Sequence, residues 1–211
     1  MPPRPRGRPA EADGGAIEDS VLLDAVLRAF GEQGFDGTSV REVARELGVS
    51  HNLLPQRFGS KQVLWYAAVD YGFGRLGEDL AREADLLGDD DVTVLRGLVT
   101  KFIAVNADHP SLLQIINQEA AHPGPRLDYL FETYIQPVRD FGQTWLDRLA
   151  AEGKISQNSV TLLYFLMTHG AGGVFALPGL SGRLMGDTSA LKADQIAQAV
   201  DMIFDGLLSR P

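Results

Sequence analysis

A chain of 211 residues, 45% hydrophobic and 22% charged, has the make-up of an ordinary globular protein, long enough for one large domain or two small ones. It has no cysteine for a disulfide, thiolate metal site or thiol nucleophile, and its opening MPPRPRGRPA lacks the apolar run of a signal peptide; no stretch reaches the roughly 18 uninterrupted apolar residues of a membrane span, so a cytoplasmic location is expected. The formal net charge of −9 argues against a uniformly basic nucleic-acid binder, yet residues 1–61 hold eight Lys and Arg against nine Asp and Glu, so most of the negative excess lies beyond them.

Residues 1–14, with prolines, glycines and three arginines but no periodicity, read as a disordered basic arm. Its Arg6-Gly7-Arg8-Pro9 run suits an AT-rich minor groove, and a merely solubilising tail has the same composition. From about Ile17 to Gly34, Val21, Leu22, Ala25, Ala29 and Phe30 keep a helical period behind acidic Glu18 and Asp19, which predicts a support helix closed by the turn Gly34-Phe35-Asp36-Gly37. Ser39 and Glu42 then form a capping box, and Val40, Val43, Ala44 and Leu47 give one apolar stripe. Gly48 is placed to end that helix, with Val49 as an inward anchor, and Ser50 can cap a second helix from His51 to about Phe58, pinned by Leu54 and Phe58. Two short amphipathic helices across a glycine turn make a helix-turn-helix, whose second helix is offered to a DNA major groove.

Thr38-Ser39-Val40, Val43-Ala44, Leu47-Gly48-Val49-Ser50, Leu54, Phe58 and Ser60-Lys61 resemble the amino-terminal signature of the tetracycline-repressor (TetR) family of transcriptional regulators, over about residues 20–68. The chain departs from that signature at Pro55, where the family usually has tyrosine, and at Arg57, where it has tyrosine or histidine; those aromatic residues typically hold phosphates. Pro55, one turn inside the expected helix, leaves the His51 carbonyl without a partner and is expected to kink the helix, while Arg57 is expected to substitute as a cationic phosphate contact. Arg41, Ser50 and Lys61 are the other expected phosphate ligands; His51, Asn52, Leu53 and Gln56 are the expected readers of base edges.

Ser60 can cap a fourth helix from Lys61 toward Ala84, in which glycines 72, 74 and 77 suggest a bend or a second segment. Everything beyond is helix and breaker. Helices are expected over Val92–Ala107, Ser111–Ala121, Arg126–Glu152 with a kink at Pro137, Ser156–Phe175 and Ala190–Leu208, with residues 176–189 a loop. The fold class is therefore all-α: a helix-turn-helix domain at 15–65 and a helical effector-binding and dimerisation domain at 66–211. The four histidines form no helical metal pair, and no phosphate loop, nucleophile elbow or paired-carboxylate motif stands out, so neither metal, cofactor nor enzymatic activity is expected.

Phe102, Asn106, Asn117, Tyr134, Phe141, Trp145, Tyr164 and His169 mix aromatic and polar groups on the central helices; they suit either plain core or a small-molecule pocket, and are the expected effector site. The helix of 156–175 is apolar nearly all round and the last helix carries its own stripe. In proteins of the family these two helices join a second subunit in a four-helix bundle, which would bring Leu163, Met167, Gly170, Val174, Ile196, Val200, Ile203, Phe204 and Leu207 to a homodimer interface. The resemblance implies a ligand-responsive repressor that binds a palindromic double-stranded DNA operator as a homodimer and is released by a small molecule; a small helical enzyme or binding module around a helix-turn-helix-like core is the alternative.

Overall fold

The computed structural model describes residues 17–88, 90–155, 159–186 and 192–208; the basic arm lies outside them. Among these residues the fold is all-α, and the one β feature is an isolated bridge between Ile155 and Leu208. Helix α1 (Asp19–Gly37) is broken at Gly34, whose φ of 74° is open to glycine, and the short turn after it is fastened by Thr38. Buried Thr38 donates its hydroxyl to the Ala29 and Gly34 carbonyls at 3.1 and 2.6 Å. Helix α2 (Val40–Glu46) starts where the Ser39 hydroxyl accepts the Glu42 amide, and Glu42 turns its carboxylate toward Arg45, 3.9 Å away. Its end is a Schellman motif: Gly48, at φ 67°, donates to the Arg45 carbonyl and Val49 to the Ala44 carbonyl.

Helix α3 is shorter than expected, Leu53–Phe58, and this removes the kink assigned to Pro55. Because the first i→i−4 bond runs from Gln56 to the Asn52 carbonyl, Pro55 sits in the first turn, where its missing amide would have no intrahelical partner in any case. Helix α4 (Lys61–Leu86) is one continuous rod through all three glycines. Gly72 is where it presses on α1 and α6: a β-carbon there would lie 2.5 Å from Leu27 and 2.9 Å from Leu112.

Helices α5 (Asp91–Asp108) and α6 (Ser111–Ala121) follow as expected, the former capped by Asp90, which accepts from the Thr93 amide. The next segment is α7 (Pro125–Leu130), a π-turn (Phe131–Ile135) and α8 (Gln136–Ala151). Pro137 lies just inside α8, and the strain of its missing amide is taken up by widening the preceding turn, with Gln136 donating to the carbonyl of Phe131 five residues back. The apolar segment from 159 likewise runs through α9 (Ser159–Phe165), a π-turn (Leu166–Ala171) and α10 (Gly173–Ala176). The loop assigned to 176–189 is corrected over α11 (Pro178–Met185), which has a proline at its first position and closes on Gly186 at φ 73°. Helix α12 (Lys192–Leu207) ends the described chain.

One contiguous core runs from Leu22 and Leu54 through Trp65, Ile103 and Leu112 to Phe204. At the seam between α1 and α6, Gly31 lets the backbones close on each other and Gln118 donates to the Gly31 carbonyl.

Candidate functional site

The turn and helix α3 present a polar face. Leu54 is fully buried beneath it and Leu53 half-buried, while Arg41, Ser50, His51, Asn52, Gln56 and Arg57 are exposed. The Ser50 hydroxyl accepts the Asn52 amide at 3.4 Å and holds the turn that opens α3. Two of the expected phosphate ligands have other work. Arg57 donates from Nη1 to Asp19 at 2.6 Å and to the Ile17 carbonyl at 2.8 Å, so it ties the end of α3 to the start of α1 instead of reaching outward. Lys61 stands 4.9 Å over the Phe35 ring and donates to the Asp36 carbonyl, an arrangement that relieves a cation placed at a helix N-terminus.

The Phe35 ring also receives Arg126 of α7, 4.1 Å from its centroid. Arg126 also donates to Glu119 at 2.8 Å, a carboxylate that is 7% exposed, so a nearly buried ion pair and an aromatic ring join the helix-turn-helix to α6 and α7. Farther along α4, Asp70 accepts from Tyr129 at 2.5 Å and Tyr134 at 2.7 Å on a single carboxylate oxygen. Burial, reinforced by that carboxylate, pushes the Tyr129 pKa up to about 12 and that of Tyr134 higher still, so both remain donors at any physiological pH.

Between α4, α5, α8 and α9 lies a narrow cavity of about 70 Å³. Leu80 of α4, Leu98 and Phe102 of α5, Leu146 of α8, and Leu163 and Met167 of the last segment are among the apolar side chains of its wall. Among the described residues, Arg139 and Tyr164 are the polar side chains on the lining, and burial raises the Tyr164 pKa. Of the residues expected at an effector site, Phe102, Phe141 and Tyr164 line this cavity; the other five do not. Asn106 is buried with its amide given to the Phe102 carbonyl, and Asn117 lies half-buried on α6. Tyr134 faces α4, Trp145 packs edge-on to Phe141, and His169 is exposed, stacked on Phe165. Sequence reasoning missed Arg139; a cation flanked by apolar Val138 and Phe141 on an amphipathic helix was the available signal.

A second, wider apolar recess is open to the surface. It runs between the α9 segment and α12 over Leu162, Leu166, Gly170, Val174 and Met202, with Met202 71% and Leu162 61% exposed. Leu163, Ile203 and Leu207 of the expected interface reach it, with Gly170 and Val174. Ile196, Val200 and Phe204 are corrected: the stripe of α12 that they form is consumed by the chain's own α5, with Arg96 4.7 Å over the Phe204 ring, and Met167 turns into the cavity. No cluster of three or more His, Asp or Glu side chains among the described residues is placed to hold a metal, and no single described helix is long and apolar enough to cross a membrane.

Residues 22–68 match the family model of bacterial regulatory proteins of the tetR family. Over 63 residues, 30% of this chain, the sequence is 38% identical to the HTH-type transcriptional regulator BetI of Rhizobium meliloti (strain 1021), of which the match spans 31%. The fold extends further. The structure of the ketosteroid transcriptional regulator KstR2 of Mycobacterium tuberculosis superposes with a TM-score of 0.72 at 19% identity, covering 93% of this chain and 98% of that one. The fatty acid degradation regulator FadR of Bacillus halodurans gives 0.65 at 16% identity, covering 90% and 100%.

Proposed function

We propose that this chain, which belongs through residues 22–68 to the tetR family of bacterial regulatory proteins, is a cytoplasmic, ligand-responsive repressor that binds a palindromic DNA operator as a homodimer. The observation that carries the reading is the α2–turn–α3 unit itself. Leu54 and the Schellman turn at Gly48 fix α3 from beneath, while His51 and Asn52 of the turn before it and Gln56 on its outer face are exposed, the arrangement a recognition helix needs to reach base edges. Asn52 and Gln56 suit adenine and the Leu53 side chain the thymine methyl; Arg41, Ser50 and Lys61 suit the flanking phosphates. The helix-turn-helix domain is taken as residues 15–65 and the effector and dimerisation domain as 66–211.

Dimerisation is supported by the recess between the α9 segment and α12, since Leu162, Leu166 and Met202 together leave an apolar surface that a monomer would expose to water. A two-fold axis there would set two recognition helices on one side of the dimer, as half-sites about 34–36 Å apart require. Control by a small molecule is supported by α4. It leaves the recognition helix at Lys61 and reaches the cavity at Leu80, roughly 28 Å along one unbroken rod at 1.5 Å per residue. A ligand that wedges the cavity moves that rod, and to shift the balance decisively it must favour the released state by about 5 kcal/mol. Selection of bound DNA from a random pool tests the whole reading: the expected product is a palindrome with two half-sites one helical turn apart, and a pool that shows no enrichment overturns it.

A further inference from the structure

We infer, resting on the reading of this chain as a ligand sensor, that the cavity takes an unbranched acyl chain whose carboxylate is held at the mouth by Arg139. The wall argues for the chain. Leu80, Leu98, Phe102, Leu146, Leu163 and Met167 offer no hydrogen-bond partner, so a ligand with polar groups along its length would bury them unpaired. The wall also favours a flexible body over a rigid ring system: at about 70 Å³ the cavity must open to admit any such ligand, and a flexible chain can follow the space that Met167 and the leucines leave as they turn aside.

The mouth argues for the head group. Arg139, Phe141 and Gly142 lie within one turn of α8 and all border the cavity, and Arg139 and Phe141 are exposed, so this turn joins the apolar interior to solvent. The Arg139 guanidinium is bound by the neighbouring Asp140 at 2.9 and 3.1 Å. An ion pair so exposed is worth little, and a ligand carboxylate arriving with its chain already buried can exchange with Asp140 for the planar fork of the guanidinium. Tyr164, also on the lining, is the second polar group that a head can meet.

Calorimetric titration of the full chain with sodium decanoate, decanol and androstenedione tests the assignment. Decanoate is expected to bind at least tenfold more tightly than decanol, and Arg139→Gln to bring decanoate down to the level of decanol. Gly142→Phe is expected to abolish binding of both with a melting temperature no lower than the parent's, because a β-carbon at that position meets nothing within 4 Å and the ring plugs only the mouth. Equal affinity for decanol and decanoate, an Arg139→Gln protein that keeps its preference, or tighter binding of androstenedione would each overturn it. DNA selection on the same ligand-free protein separates the two readings: a palindrome with no decanoate binding refutes the ligand alone, and decanoate binding with no selected DNA refutes the regulator alone.

Discussion

Replacing Gly31 by alanine should destabilise the protein although alanine is the better helix former. The added β-carbon would lie 2.7 Å from the β-carbon and 2.8 Å from the α-carbon of Ser111, with the Gln114 side chain at 2.9 Å. Ordinary contact begins at 3.4 Å, so α1 and α6 must part by about 0.6 Å, and since one obstacle is backbone no rotamer change can absorb the overlap. Overpacking of this kind costs about 1–3 kcal/mol, offset by about 1 kcal/mol of helix propensity, for a net loss of up to about 2 kcal/mol. Gly77→Ala is the matched control. Nothing lies within 4 Å of its β-carbon, so it should gain up to about 1 kcal/mol. In urea unfolding with a slope near 2 kcal/mol/M, the two midpoints should move in opposite directions, Gly31→Ala down by up to roughly 1 M. A Gly31→Ala midpoint at or above that of the parent protein would show that the two helices do not meet as described.

Arg57→Ala should cost less than about 1 kcal/mol and leave the salt slope of operator binding nearly unchanged, because its exposed pair with Asp19 holds α1; a slope reduced by a full unit would return Arg57 to the phosphates. Met202→Asp should give a folded monomer by sedimentation, since the side chain is 71% exposed within the protomer; a dimer of undiminished stability would remove the recess between the α9 segment and α12 from the interface. Arg126→Ala should destabilise by about 3 kcal/mol by leaving Glu119 buried and unpaired, and the pair Glu119→Gln with Arg126→Leu should recover most of that in thermal unfolding. A mild single variant would mean that Glu119 finds water or another donor.

What the sequence disclosed was local. Ser39 caps the amide three residues on, Gly48 closes α2 in the left-handed region and Leu54 anchors α3; each depends on neighbours within a few positions, and each could be read from residue type and spacing. Contacts with distant partners were not legible. Arg57 meets Asp19, 38 positions earlier, and Lys61 meets the Phe35 ring, and neither contact is announced by residue type or spacing. A wide apolar stripe on α12 announces that the helix is buried without saying what buries it, and the inner half, with Phe204, turned out to be spent on α5. The expected effector residues lie on helices that do converge, but residue type does not tell which face meets the cavity, and Tyr134 and His169 sit in π-turns that depart from a 3.6-residue period. Helix α11 falls where residues 176–189 are expected to be a loop; Pro178 stands at its first helical position, where a proline is a start signal.

Leu163 borders both the narrow cavity and the recess between the α9 segment and α12, so one side chain is wall to two compartments. A ligand that displaces Leu163 from one side would alter the other compartment, and such a linkage is reciprocal: if a ligand weakens subunit association, association weakens the ligand by the same factor. A half-saturation concentration measured on this protein would then drift with the protein concentration at which it is measured.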